Sequence, residues 1–184
     1  MRLFLAATFP ETVLRPLNER IAAMRSRLPA ASWVRPETQH LTFAFLGEQP
    51  ETLIDKLAPL VMTELDGIPA FEGRLRSSGF FPNPRHARVG WVGVHPEDHF
   101  VEIANSVRRA VQAAGVELDR ADFRPHLTLM RIRDPWPPAS IELFQKTMRE
   151  WESAPFAVDA VTLFSSRLNA SGAIHTPVRR FELA

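Results

Sequence analysis

The chain has 184 residues, 45% of them apolar and 23% charged, with a net charge of +1; this is ordinary globular composition with no sign of disorder and no overall electrostatic field, long enough for one domain or two small lobes on a shared core. There is no cysteine, which excludes disulfides, thiolate metal sites and cysteine nucleophiles. Of the 22 basic residues only Lys56 and Lys146 are lysines, a bias that fits phosphate recognition by planar guanidinium forks and equally fits codon bias.

Along the chain, Arg2 to Phe9 is an apolar stretch with strand character. Pro10 and Glu11 open a helix with Val13, Leu14, Leu17, Ile21 and Met24 at helical spacing. Ser32 to Val34 forms a short strand before Pro36. His40 to Gly47 is the next strand, and Glu51 to Leu65 has helical periodicity that Pro59 is expected to kink or divide. Ala70 to Phe81 is a strand followed by the turn Pro82-Asn83-Pro84. In the second half, Arg88 to Val94 is a strand, Pro96 to Ala114 an amphipathic helix ended by Gly115, and the run from His126 a strand. After Pro135-Trp136-Pro137-Pro138 come a helix from Ala139 to Trp151, one strand from Phe156 to Leu168, and a last strand from Ile174 to Leu183. The opening MRLFLAATFPE is too short for a secretory core, and no run reaches bilayer length, so a cytoplasmic protein without membrane contact is expected.

One tripeptide recurs. His40-Leu41-Thr42 opens HLTFAFLG and His126-Leu127-Thr128 opens HLTLMRI, 86 positions apart. Shifted by about that offset, each half follows the order strand, helix, His-Leu-Thr strand, helix, strand, which an internal duplication within a single domain over 1–184 explains. The expected fold is α+β: two pseudo-symmetric lobes with mainly antiparallel sheets flanked by helices and an active-site cleft between them. On a strand, side chains two apart share a face, so each copy presents an imidazole beside a hydroxyl. Two such pairs on a two-fold axis make an acid/base site.

The paired His-x-Thr-x motifs, with Phe45 to Gly47 after the first, Arg124-Pro125 before the second, Arg131 after it, Arg88 to Trp91, and the closing region from Phe164 through Ser166-Arg167 and Gly172 to Phe181, resemble the 2H phosphoesterases. Within these they resemble the RNA 2′,3′-cyclic phosphodiesterases, also called 2′-5′ RNA ligases. The resemblance implies metal-independent, cofactor-free hydrolysis of RNA 2′,3′-cyclic phosphate ends, such as those of tRNA halves, to 2′-phosphomonoesters by a monomeric enzyme. It assigns His40 as proton donor, His126 as proton acceptor, Thr42 and Thr128 to the phosphate oxygens and Arg131 to the substrate. Strict alternation from His126 turns Arg131 to the opposite face, so its role rests on the resemblance or on a twist of the strand. His175, where these proteins often carry tyrosine, and Met130, where a small residue is usual, depart from the pattern and bear on pocket shape. Arg88, Arg124 and Trp33 are further candidates for an RNA groove.

Alternatives are 2′-5′ ligation, action on a small cyclic-phosphate or 2′-5′-linked nucleotide, and, from another class, a non-catalytic RNA-end-binding protein. The last has no need of two proton-transfer groups. A metal site is disfavoured: His95 and His99 are four apart, but Pro96 starts a helix between them and no acidic third ligand is placed, and His86 has no partner spacing.

Overall fold

In the computed structural model, which describes residues 1–170 and 172–184, thirteen main elements follow one another. The first half contains β1 (Arg2–Ala7), α1 (Glu11–Arg25), β2 (Ser32–Trp33), β3 (Leu41–Glu48), α2 (Leu53–Leu65) and β4 (Phe71–Phe81). The second contains β5 (Val89–His95), α3 (Glu97–Ala113), β6 (His126–Arg131), α4 (Pro138–Arg149), β7 (Phe156–Val158), β8 (Ala160–Asn169) and β9 (Gly172–Glu182). They build two sheets, of order β3-β1-β8-β9 and β2-β6-β5-β4-β7, in which every strand pair is antiparallel.

The two sheets share a pattern and exchange a strand. At an offset of 86, β1, β3 and β4 fall on β5, β6 and β8, and the order β3-β1-β8 in one sheet answers β6-β5-β4 in the other. The third strand of each half therefore pairs with the first strand of the opposite half. A half-chain cut before β5 would lose β8 from beside β1 and leave β4 without β5, exposing backbone that only the other half pairs.

The helices cover the sheets through apolar stripes at helical spacing. Val13, Leu17, Ile21 and Met24 of α1 are buried, as are Ile141, Phe144 and Met148 of α4. Buried residues of both halves join in one cluster that includes Leu5, Leu57, Val107 and Phe144. Among the described residues no helix is long and apolar enough to cross a membrane.

Two expectations are corrected. Pro59 does not divide α2, which runs unbroken, and α1 likewise contains Pro16. Both prolines are exposed, and the carbonyls they leave without a helical N–H belong to Thr12 and Asp55, also exposed, where water can bond them. The stretch from Phe156 is two strands: β7 pairs with β4, the chain breaks at Asp159, and β8 pairs with β1 in the other sheet. Ala160 and Val161 are both buried, so the shift of phase hides inside an apolar run with no turn residue to announce it.

Candidate active site

Both tripeptides reach the space between the sheets in the same local geometry. His40 immediately precedes β3 and His126 opens β6. Nδ1 of His40 lies 2.7 Å from the carbonyl oxygen of Thr38, and Nδ1 of His126 lies 2.6 Å from that of Arg124; Thr38 and Arg124 are themselves 86 apart. A carbonyl only accepts, so Nδ1 carries the proton in each ring and Nε2 is left as the nitrogen available to the cleft. Aromatic rings hold the imidazoles from the side: Phe4 at 4.8 Å and His175 at 5.1 Å from His40, Phe81 at 4.9 Å and Trp91 at 6.5 Å from His126.

A matched pair of bulges decides what else faces the cleft. Along β3, Thr42 is opposite Ala6 and Ala44 opposite Leu5, leaving Phe43 extra. Along β6, Thr128 is opposite Trp91 and Met130 opposite Gly90, leaving Leu129 extra. One added residue reverses the alternation beyond it. The cleft face therefore carries His40, Thr42 and Phe45 from one strand and His126, Thr128 and Arg131 from the other, all lining one cavity of about 710 Å³. This bulge is the reason that Arg131, which strict alternation turns away, shares a cavity with His126. Met130 is fully buried and occupies the space a side chain at position 90 would need, since a Cβ on Gly90 would clash with its Cε. Its bulk goes into the core, while His175 lines the cavity.

The cavity is cationic. Arg2, Arg35 and Arg131 line it, and among the described residues no aspartate or glutamate does. Phe45 is 51% exposed, with the Arg2 guanidinium 5.2 Å from its ring. A second groove of about 340 Å³ adjoins the first and shares Thr42, Phe45 and His126 with it. Of the other candidates, Trp33 lines the main cavity and Arg124 the second groove, whereas Arg88 bonds the carbonyl of Arg133 and lines neither. His95 lies 3.3 Å from Ser77 Oγ and His99 packs edge-on against Phe71. Among the described residues no group of three or more histidine or carboxylate side chains could hold a metal ion. Sequence reasoning did not single out Phe45, Arg2 or Arg35 as functional; the signal for Phe45 was its place at the same offset as Arg131, readable only once the bulges are known.

Burial is the largest influence on both motif histidines and pushes their pKa below the usual 6.5, against the opposing pull of the Thr38 and Arg124 carbonyls; His175 adds to the lowering at His40 and Arg131 at His126. His175 and His95 are lowered too, chiefly by burial. An unfolded chain binds protons at these rings that the folded chain resists, so their contribution is fully present above pH 6.5 and is lost as the pH falls through that value toward the lower folded pKa. The melting temperature should accordingly fall between about pH 7.5 and about pH 5.5, and a variant with glutamine at 40 and 126 should show a flatter decline in calorimetry.

Comparison with known proteins bears on the family and the fold. The sequence profile of the 2′-5′ RNA ligase superfamily matches residues 13–170. The RNA 2′,3′-cyclic phosphodiesterase of Thermus thermophilus is 36% identical over 193 residues, covering 100% of this chain and 90% of that protein. The crystal structure of a protein designated TT0787, also from Thermus thermophilus, superposes with a TM-score of 0.79 at 29% identity, covering 100% of this chain and 98% of that one. E. coli LigT complexed with 3′-AMP superposes at 0.74 and 26% identity, covering 99% and 97%.

Proposed function

This chain belongs to the 2′-5′ RNA ligase superfamily, and we propose that it is a metal-independent phosphodiesterase that opens the 2′,3′-cyclic phosphate at RNA ends to a 2′-phosphomonoester. The observation that carries the reading is the pair of imidazoles, each fixed through Nδ1 to a backbone carbonyl and each beside a threonine, lining one cleft free of carboxylates among the described residues. In-line displacement at phosphorus needs a base on one side and an acid on the other. In this reading Nε2 of His126 takes a proton from water as its oxygen bonds to phosphorus. The bond from phosphorus to the 3′ oxygen breaks, and that oxygen takes the proton from Nε2 of His40. Thr42 and Thr128 donate to the non-bridging oxygens, whose charge grows as the transition state forms. The exposed ring of Phe45 offers a base a stacking surface, worth about 1 to 3 kcal/mol per base in such sites.

Arg131 is the residue for the substrate phosphate. Charge-assisted hydrogen bonds are worth about 1.5 to 3 kcal/mol, so Arg131→Ala should raise KM by roughly ten-fold or more while kcat changes less, and Arg131→Lys should restore part of the loss. Steady-state kinetics on a 2′,3′-cyclic nucleotide reads this directly; an unchanged KM would remove Arg131 from the substrate.

A second reading is favoured by the groove beyond Thr42 and His126. It could receive a nucleoside whose 5′-hydroxyl replaces water in the same displacement, giving a 2′-5′ bond. Both are tested by incubating the purified protein, in EDTA, with cyclic-phosphate-ended RNA alone and with 5′-hydroxyl RNA. The expected product of the first is the 2′-monophosphate at an undiminished rate. A 3′-monophosphate, or turnover that stops in EDTA, would overturn the proposal.

A further inference from the structure

The two halves of the site match closely except in what touches each imidazole. His126 is flanked by Phe81 and Trp91, neither of which titrates, and by the fixed charge of Arg131. His40 is flanked by Phe4 and by a third imidazole, His175, whose ring stands at 87° to its own with centroids 5.1 Å apart. His175 comes from β9, opposite Ser166 of β8, and its ring also packs edge-on against Phe4 of β1 at 4.9 Å. It lines the same cavity as His40.

The charged and titratable groups that line the cavity with His175 are all basic. His40 meets it from the approach to β3. Arg35, whose guanidinium bonds the carbonyl of Ala173 and pairs with Glu37 at 3.4 Å, meets it from the segment after β2. Arg2 of β1 and Arg131 of β6 line the same cavity, and among the described residues no carboxylate does. Nδ1 of His175 is buried with no hydrogen-bond partner among the described residues, so a proton on that nitrogen meets no acceptor, and no carboxylate among the described residues lining the cavity offsets its charge. Two adjacent imidazolium ions in such a place repel strongly, because burial weakens the screening that water gives.

We propose that His175 is a positioning residue for His40: of the two rings in edge contact only one at a time carries the additional, charging proton, and His175 thereby governs how firmly His40 keeps the proton it transfers. Charge on the His175 ring, in edge contact with His40, opposes protonation of His40. The effect reaches only one of the motif histidines, so it breaks the symmetry of the acid/base pair. It rests on the reading of His40 as a proton-transfer group, and the limbs of the resulting pH profile belong to the coupled set.

The test is an NMR titration of the histidine rings in the full-length protein and in His175→Phe and His175→Tyr, with His175→Gln as the alternative if either fails to fold. The His40 midpoint should rise in each folded variant while that of His126 stays in place. An unchanged or lowered His40 midpoint, or an equal movement of His126, would overturn the inference. In kinetics on a 2′,3′-cyclic nucleotide the alkaline limb of kcat/KM, where a proton donor is lost, should move to higher pH and the acid limb should not. The titration needs no turnover: a failed titration with normal hydrolysis sinks only the role of His175, and a shifted midpoint in a protein that hydrolyses nothing sinks only the proposed function.

Discussion

Replacing His126 or His40 with alanine should lower kcat for a 2′,3′-cyclic phosphodiester by about 10² to 10⁴-fold, the usual contribution of one general acid or base. KM should change little, because neither imidazole is the principal anchor of the phosphate in this mechanism. The fold should survive, since both side chains line the cleft and neither belongs to the apolar cluster that joins the halves. Each substitution removes one hydrogen bond to a backbone carbonyl, that of Thr38 or Arg124, which water entering the opened cleft can replace, together with the ring contacts to Phe4 and His175 or to Phe81 and Trp91. Groups acting in one displacement are strongly non-additive, so the double variant should be scarcely worse than the more damaged single one. Rates of hydrolysis beside near-ultraviolet circular dichroism separate lost chemistry from lost structure. A single variant with wild-type turnover would refute the division of proton transfer between the two rings.

Threonine 42 or 128 replaced by alanine should cost on the order of 10²-fold or more in kcat, the typical loss on removing one donor to a developing oxyanion. Thr42→Ser and Thr128→Ser keep the hydroxyl and should recover most of the rate. The two sites should respond alike because equivalent bulges, at Phe43 and at Leu129, leave Thr42 and Thr128 on the cleft face beside their histidines. A loss confined to one threonine would mean that the phosphate sits off the pseudo-symmetry axis.

Much of this arrangement was legible in the letters, for identifiable reasons. The tripeptide repeat placed both histidines at strand starts, and helical stripes such as Val13, Leu17, Ile21 and Met24 located the helices. The family membership expected from the paired motifs and their flanks is the one the comparisons establish, and the α+β fold with two antiparallel sheets is the one observed. Three features were hidden. The break at Asp159 lies where both sides are apolar, so strand periodicity continues across it while the chain changes sheets. The exchange of β4 and β8 depends on which strands pair at long range, which local patterning does not encode. The bulges add one residue without a glycine or proline to mark them, and they alone turn Phe45 and Arg131 toward the cleft. His175 was visible as a departure, but its contact with His40 required the register of β8 with β9.

In this mechanism both imidazoles address one phosphorus atom, and a crystal structure of the protein with a bound 2′-nucleoside monophosphate measures this directly. Nε2 of His40 and Nε2 of His126 should each lie within hydrogen-bond distance of oxygens on the same phosphorus, with the hydroxyls of Thr42 and Thr128 on its remaining oxygens. A phosphate held by one histidine alone, or bound outside the cleft between the sheets, would contradict it.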